Sequence, residues 1–313
     1  MRKVIVTGSE GLVGSLLART LEAKGVEVVR YDLELDRDVR VRQDFARALS
    51  GCEGIVHLAA VSRVIWGEQD PQLCWATNVG GTQNVIDAAV EAGERPWLVF
   101  ASSREVYGDA AVLPVREHAP KQAVNVYGRA KIRGEELVHA ARAAGLRTSV
   151  VRLSNVYGST GDHADRVVPA FTRAAACGGV LRVDGLGHTF DFTHVSDTVA
   201  GLFAICEQLH AGEARLPDLH LLTGQPTTLE QLARLALAHA HGQARLVEAP
   251  PRSFDVANFY GDPSRARELL GWRAQVDIRS GVRRMVEDFA RELGSSEGSA
   301  VSDESFERVA AAL

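Results

Sequence analysis

A glycine-rich turn near the N-terminus constrains the fold of this chain more than any other feature. Residues 4–6 are β-branched and predict a strand, and the amphipathic stretch from 11 to 23 predicts a helix. Glycines between a strand and a helix permit a tight turn, close approach of the backbone to a pyrophosphate, and close packing of helix on strand. The turn therefore predicts a dinucleotide site at the start of the first helix. Its expected cofactor contacts are Gly8, Gly11, Leu12, Val13 and Gly14.

The first half of the chain continues the alternation of strand and helix. Apolar strand candidates lie at 26–31, 55–58, 97–100 and 148–153, and helical patterns occupy 78–92 and 127–144. Right-handed crossovers between such strands place helices on both faces of one sheet. The sequence therefore predicts an α/β fold of Rossmann type, with a doubly wound parallel sheet.

The end of the second strand predicts the choice of dinucleotide. Asp32 stands there, 18 residues beyond Gly14. A carboxylate at this place accepts hydrogen bonds from both ribose hydroxyls of an adenosine and repels a 2′-phosphate. We therefore expect NAD rather than NADP as the cofactor.

The second half of the chain predicts a smaller lobe. After 155 the pattern loosens, with strand candidates at 181–183 and 220–222 and helices near 196–208, 229–239, 263–270 and 280–293. We expect an NAD-binding domain mainly over 1–155 and a C-terminal substrate-binding lobe mainly over 156–293, with some return to the sheet. Small and polar residues follow, and they predict a flexible tail over 294–313.

Composition excludes several other classes of protein. A formal net charge of −5 argues against a nucleic-acid partner. No apolar run approaches the roughly 20 residues that cross a bilayer, and the apolar stretch after the basic N-terminus is too short for a signal peptide. We expect a cytoplasmic protein without a membrane partner. The four cysteines form no C-x-x-C pair and have no histidine cluster beside them, so no metal site is predicted.

Two segments carry candidate catalytic groups. Tyr127 and Lys131 are four residues apart, so they share one face of a helix. A nearby ammonium and a positive nicotinamide ring both favour the phenolate, which would make Tyr127 an acid and base near neutral pH. Ser102 and Ser103 follow the strand at 97–100, at the carboxyl edge where ligands of such sheets bind.

These pieces occur together with further motifs at ordered intervals. The chain resembles the extended short-chain dehydrogenase/reductase family of sugar-nucleotide epimerases and dehydratases, from 3 to about 272. The motifs that carry the resemblance are Thr7–Gly14, His57-Leu58-Ala59-Ala60, Asn78-Val79-Gly80-Gly81-Thr82, Ser102–Gly108, Tyr127–Lys131, Arg152–Gly158 and Leu269-Leu270-Gly271-Trp272.

The resemblance implies a role for particular residues. Ser103 matches the catalytic Ser/Thr, Tyr127 the catalytic base, and Lys131 its partner, which also holds the nicotinamide ribose. Further cofactor contacts are implied at Asp38, Val39, Leu58, Ala59, Ala60, Asn78 and Ser102. Substrate contacts are implied at Ser103, Asn155, Phe190, Arg252 and Asp255. Phe190 is a departure, because many relatives carry there an arginine that clamps the diphosphate. The resemblance also implies a homodimer formed through helices at 84–92 and 131–144.

One further residue, Glu105, bears on which of the family's reactions this chain catalyses. In this family NAD takes hydride from sugar C4, and the fate of the 4-keto intermediate defines the subfamily. Glu105 matches the catalytic glutamate of dehydratases, but their neighbouring aspartic acid is Arg104 here, and a guanidinium is a poor general acid. We therefore favour C4 epimerisation of a nucleotide sugar, with Glu105 either catalytic or merely salt-bridged. A dehydratase or decarboxylase, and a ketoreductase, stay open as alternatives. A non-enzymatic NAD-binding regulator is disfavoured, because Ser103, Tyr127 and Lys131 are all present.

Overall fold

The computed structural model describes residues 1–93, 95–214, 216–251 and 256–296, the last three of them by backbone alone. The strands in this part of the chain are β1 (Lys3–Thr7), β2 (Glu27–Tyr31), β3 (Gly54–His57), β4 (Trp97–Ser103), β5 (Thr148–Leu153), β6 (Asn155–Tyr157), β7 (Val180–Asp184), β8 (Thr189–Phe190), β9 (Phe192–His194), β10 (Leu219–Leu221), β11 (Thr227–Thr228) and β12 (Arg245–Ala249). The α-helices are α1 (Leu12–Ala23), α2 (Arg42–Ala48), α3 (Val64–Gln69), α4 (Pro71–Trp75), α5 (Thr82–Glu91), α6 (Val126–Ala143), α7 (Val167–Cys177), α8 (Val195–His210), α9 (Leu229–Leu237), α10 (Ser264–Leu270) and α11 (Ile278–Ser296).

Six parallel strands form the central sheet, in the order β10-β5-β4-β3-β1-β2. The predicted α/β fold is therefore confirmed. The chain runs outward from β1 to β2 and then resumes on the other side of β1 with β3. Ligands of such sheets bind at the carboxyl ends beside this reversal of strand order. The glycine turn follows β1, and the segment at 58–60 follows β3, so both lie at this crevice.

Side chains alternate along the strands and pack into two hydrophobic cores, one on each face of the sheet. Val4 and Val6 pack on one face of the sheet with apolar residues of α1 and α8. Ile5, between them, packs on the other face with residues of α2, α5 and α6. This two-residue period is what a strand buried on both faces requires. The helices on both faces hold the carboxyl edge of the sheet in place.

Several predicted bounds shift in the structure. Strand β4 continues to Ser103, so Ser102 and Ser103 belong to the strand instead of following it. The predicted helix at 78–92 divides into a π-helical turn at Ala76–Gly81 and α5. The candidate strand at 220–222 becomes β10, which adds a sixth strand to the central sheet. The candidate at 181–183 becomes β7, which pairs with β12 in a separate sheet.

The remaining elements pack around a third core over the carboxyl edge. Apolar residues of β7, α7, α9 and α11 form this core, together with Phe190 and Phe192. Helix α7 lies within 156–195, where the sequence pattern predicts no helix. Helix α11 ends at Ser296, so the first three residues of the predicted tail are helical; 297–313 lie outside the described residues. No described helix is long and apolar enough to span a bilayer.

Candidate active site

A cavity of about 810 Å³ opens at the carboxyl edge, between the central sheet and the third core. Its lining brings together most of the residues singled out from the sequence. Among the predicted cofactor contacts these are Gly8, Gly11, Leu12, Val13, Gly14, Asp32, Asp38, Val39, Leu58, Ala59, Ala60, Ser102, Tyr127 and Lys131. Ser103, Glu105, Asn155 and Phe190 line the same cavity. Arg252 and Asp255 lie outside the described residues.

The glycine turn has the close packing that a pyrophosphate cradle requires. Gly8 has a φ of +68°, and a Cβ added there would lie 2.8 Å from the backbone nitrogen of Ala59. A Cβ on Gly14 would lie 1.9 Å from the carbonyl oxygen of Gly8. Gly11 caps α1 without a side-chain hydrogen bond, and the first turn of the helix has no acidic residue. The free N–H groups and positive end of α1 therefore face the cavity without a competing carboxylate, which fits a dinucleotide phosphate.

Carboxylates line the end of the cavity next to β2. Asp32 accepts hydrogen bonds from the backbone nitrogens of Glu10 (2.9 Å) and Glu34 (3.0 Å), which hold its side chain in place. Asp38 pairs with Arg40 at 2.6 Å, and this hydrogen-bonded partner lowers the pKa of Asp38. A fixed carboxylate at Asp32 suits an adenosine ribose with two free hydroxyls, because each oxygen keeps a lone pair for a further donor.

Asn78 is the one described cofactor candidate that does not line the cavity. It is buried, and its side-chain oxygen accepts from the Val61 nitrogen at 2.7 Å while its amide nitrogen donates to the Val61 carbonyl at 3.1 Å. Its side chain thus contacts the segment that follows β3, and its contact with the cofactor stays a prediction. Asn78 positions Val61, which does line the cavity.

Tyr127 and Lys131 lie in the first turns of α6, with Ser103 beside them at the end of β4. Burial raises the pKa of Tyr127 to about 12, although a hydrogen bond with Ser103 opposes this rise. Burial also lowers the pKa of Lys131 to about 8. The Lys131 amine donates to the Ala101 carbonyl at 2.7 Å and lies 5.8 Å from the centre of the Tyr127 ring.

The electrostatics of this trio favour the phenol of Tyr127 in the protein alone. The predicted stabilisation of the phenolate by Lys131 together with a positive nicotinamide ring stays a prediction. The positive charge that opposes the rise in the pKa of Tyr127 comes from Arg166, a cavity-lining residue that the sequence reading did not identify. Burial disfavours the phenolate of Tyr127, and it also favours the neutral amine of Lys131, so Lys131 is a weaker source of positive charge for that phenolate.

Glu105 is buried, and both of its carboxylate oxygens have partners. One oxygen lies 2.9 Å from Nη2 of Arg104, and the other accepts from the Asn125 amide at 2.7 Å. Asn125 also caps α6, because its side-chain oxygen accepts from the Gly128 nitrogen at 2.8 Å. The structure therefore places Glu105 at the cavity wall, in an ion pair with Arg104 and hydrogen-bonded to Asn125, the residue that caps α6.

Phe190 supports the same arginine. The centre of its ring lies 4.6 Å from the guanidinium carbon of Arg104, and the centre of the Phe259 ring lies 5.8 Å from the same carbon. Cation–π contact of this kind holds a guanidinium flat against the ring. Phe190 and Arg104, the two residues that differ from those implied by the resemblance, are therefore in contact with each other.

Ser102 directs its hydroxyl away from the cavity. It donates to Glu135 at 2.5 Å, and Glu135 pairs through both oxygens with Arg152 at 2.7 Å. Arg152 also donates to the Tyr107 hydroxyl at 2.8 Å. Sequence reasoning missed this buried network. Its signal was available, because Glu135 stands four residues after Lys131 on the same helix face and Arg152 interrupts an apolar strand.

His57, Tyr107 and Tyr157 are all buried. His57 lies 2.7 Å from the Thr7 hydroxyl and 3.0 Å from the Thr82 hydroxyl, and burial lowers its pKa to about 3. It is therefore a neutral, hydrogen-bonded core histidine. Within the described ranges, no group of three or more His, Cys, Asp or Glu side chains could hold a metal ion.

Comparisons with known proteins agree with this geometry. Residues 4–216 match the profile of the NAD dependent epimerase/dehydratase family. A UDP-glucose 4-epimerase from Mycolicibacterium smegmatis is 31% identical, over 92% of this chain and 98% of that protein. UDP-glucuronic acid decarboxylase 1 from Arabidopsis thaliana is also 31% identical, over 95% of this chain and 72% of that protein.

Solved structures are similar over nearly the whole chain. A UDP-glucose 4-epimerase from Thermotoga maritima, with UDP-glucose, has a TM-score of 0.86 at 26% identity and covers 93% of this chain and 99% of its own. MoeE5 in complex with UDP-glucose and NAD has a TM-score of 0.83 at 27% identity, with the same coverage. With this fold, this cofactor cradle and this profile match, the chain belongs to the NAD dependent epimerase/dehydratase family and is an NAD-dependent enzyme.

Proposed function

We propose that this enzyme inverts C4 of a nucleotide-linked sugar through a 4-keto intermediate. The observation that carries the proposal is the environment of Glu105. Tyr127, Ser103 and Lys131 meet at one end of the cofactor cavity, which suits oxidation and reduction at a sugar carbon. The glutamate that dehydration would require is held by Arg104 and Asn125 instead.

In the proposed mechanism Tyr127 moves the proton at the reacting hydroxyl. Its oxygen removes the proton from the C4 hydroxyl and returns a proton to the same oxygen after the sugar has presented its other face. The Ser103 hydroxyl, hydrogen-bonded with Tyr127, holds the C4 oxygen in reach. Bound NAD supplies reversible hydride acceptance and a positive ring charge. Its phosphates would lie at Gly8–Gly14, its adenosine ribose at Asp32, and its nicotinamide ribose at Lys131.

Dehydration is disfavoured by the same contacts. Removal of the C5 proton needs a carboxylate that is free to accept it, and elimination of the C6 hydroxyl needs an acid beside it. Glu105 would have to give up the Arg104 ion pair to act as this base, and Arg104 cannot donate a proton at neutral pH. Return of hydride to C4 needs neither group, so epimerisation is the simpler outcome for this site.

UDP is the nucleotide that we propose, because the relatives and structures named above act on or bind UDP-sugars. Phe190 stands where the resemblance implies an arginine that would hold the diphosphate. Arg166 and Arg182, however, line the cavity on the side of the third core. Their guanidinium groups suit a diphosphate. Decarboxylation of a UDP-uronic acid is the second candidate, because the decarboxylase and the epimerase share the same identity with this chain.

The test is product analysis in deuterated water. The purified enzyme and NAD are incubated with UDP-glucose, UDP-galactose and UDP-glucuronic acid, and products are examined by NMR and mass spectrometry. An isomer with inverted C4 and no solvent deuterium is expected. Loss of water with deuterium incorporated at C5 would contradict epimerisation and restore a catalytic role for Glu105. Loss of CO2 would contradict it in favour of decarboxylation, in which the C5 proton is kept and a solvent deuteron takes the place of the carboxylate. The Tyr127→Phe variant should bind NAD normally but lose turnover, because the proton acceptor is gone.

We also propose the assembly and the division of the chain that the resemblance implies. Trp75, at the end of α4, and Val90, in α5, are large apolar side chains that are 40% and 48% exposed. Their exposure supports a homodimer through α5 and α6.

NAD binding is assigned mainly to 1–155 and substrate binding mainly to 156–293, although β10 returns to the sheet. We also propose a cytoplasmic enzyme, as the short apolar runs of the sequence predict.

A further inference from the structure

We propose that Arg104 selects substrates whose sugar carries a carboxylate, so that the preferred substrate class is a nucleotide-linked hexuronic acid. This inference rests on the proposed function, because it assumes that a nucleotide sugar occupies the cavity. It adds a specificity-determining residue that the Ser103, Tyr127 and Lys131 trio does not include.

The first argument is the unused hydrogen-bonding capacity of Arg104. Its side chain is 11% exposed and lines the cavity. Nη2 lies 2.9 Å from Glu105, but the buried Nη1 has no hydrogen-bond partner among the residues that the structure describes. A guanidinium has five N–H donors, and a buried charged donor without an acceptor is costly. Because Arg104 lines the cavity, a small rotation of its guanidinium would bring these donors to an acceptor on the substrate and remove this cost.

The second argument is where the charge lies. Arg104 directly follows Ser103 at the end of β4, in the same turn as Glu105. Glu105 is near enough to Tyr127 to influence its pKa. Arg104 is therefore at the reacting end of the cavity, where the sugar would lie. Phe190 brings no charge of its own but holds the Arg104 guanidinium against its ring.

The third argument is the chemistry of the anion. The planar fork of a guanidinium matches a carboxylate in two parallel hydrogen bonds. Without Arg104, the buried Glu105 would repel a carboxylate on the sugar. The ion pair with Arg104 and the hydrogen bond from Asn125 offset that negative charge. The site is thus built to accept a second carboxylate beside the first, with one guanidinium between them.

The test compares two ligands that differ only at C6. Binding of UDP-glucose, UDP-glucuronic acid and UDP to the NAD-loaded enzyme is measured by calorimetry. Hydrogen bonds to charged groups predict about 10- to 100-fold tighter binding of UDP-glucuronic acid than of UDP-glucose. Arg104→Gln should abolish this preference, and its loss of affinity for UDP-glucuronic acid should exceed by about tenfold or more its effect on UDP-glucose and on UDP. Arg104→Lys keeps the charge but loses the fork, so it should retain part of the preference.

Arg234→Gln is the matched control, because Arg234 is an exposed arginine on α9, paired only with Glu230 on the same helix among the described residues. It should bind all three ligands as the wild type does. Equal affinity of the wild type for the two sugars would overturn the inference. So would an equal loss for UDP, UDP-glucose and UDP-glucuronic acid in Arg104→Gln, because Arg104 would then contact the diphosphate. If neither UDP nor either sugar binds the wild type, the proposed function itself fails.

Discussion

Lys131 holds its amine in the interior of the active site, and this placement makes the stability of the protein depend on pH. The side chain is 4% exposed, and burial lowers its pKa from 10.5 to about 8. Between these values the unfolded chain binds a proton that the folded chain has released. Stability must therefore rise with pH across this window. The difference corresponds to about 3 kcal/mol over the whole window, and to about 2 kcal/mol between pH 7 and 9.5.

The assay is equilibrium urea unfolding of the protein without NAD, for the wild type and for Lys131→Met, between pH 7 and 9.5. Tyr127 and Cys74 have raised pKa values because of burial, so they act in the opposite direction at high pH. Their contributions are expected to be similar in both proteins and to cancel largely in the difference. The stability of the wild type relative to Lys131→Met should rise by about 2 kcal/mol. A difference that stays flat would refute the reasoning, and would mean that the Ala101 carbonyl and the Phe100 ring stabilise the ammonium fully.

Three further predictions concern the cradle and the buried network. Gly14→Ala should lower NAD affinity by more than about tenfold in calorimetry, because its Cβ would lie 1.9 Å from backbone; Gly80→Ala, which meets nothing within 4 Å, is the control. Asp32→Ala should shift the NADP-to-NAD ratio of binding constants by about tenfold or more toward NADP, since a repelling charge is lost; an unchanged ratio would contradict the assignment. Glu135→Gln should cost about 2 kcal/mol in urea unfolding, because the buried Arg152 loses charge-assisted hydrogen bonds to Glu135 and keeps its ion pair with Asp218 at 2.9 Å; a loss below about 0.5 kcal/mol would show that Asp218 already compensates the charge of Arg152.

The cofactor half of the site could be predicted from the sequence because its determinants are local. The glycine turn, the strand before it and the helix after it are continuous in the chain, and Asp32 follows at the end of the next strand. Parallel strands with right-handed crossovers bring these segments to one sheet edge without further information. The cavity lining reflects this, since Gly8, Gly14 and Asp32 all contribute to it.

The direction of individual side chains could not be predicted in the same way. Asn78 lies in a matching motif, but the π-helical turn before α5 directs it to the backbone of Val61. Ser102 lies next to Ser103, yet successive residues of a strand point to opposite faces, and its hydroxyl meets Glu135. Both outcomes depend on partners that are distant in the chain and meet only in the folded protein.

Helix α7 is a different case, because its signal was present. Val168, Phe171, Thr172 and Ala175 are buried at the three- and four-residue spacing of an amphipathic helix. Glycines and aromatic residues on both sides of the segment concealed this period. The charged lining beside it, Arg166, was missed for the same reason, although it influences the pKa of Tyr127.

Asn125 makes the interpretation of any Glu105 variant depend on α6. Its amide donates to Glu105, and its side-chain oxygen caps the helix at Gly128, one residue after Tyr127. A Cβ on Gly128 would lie 2.5 Å from the Glu105 carbonyl, so the helix start and the end of β4 are in close contact. Loss of the Glu105 carboxylate would therefore release the cap as well as a candidate base, and loss of turnover alone would not assign a catalytic role. With UDP-glucose or UDP-galactose as the substrate, which cannot lose CO2, solvent deuterium at C5 reports removal of that proton directly, and a displaced Tyr127 cannot produce it.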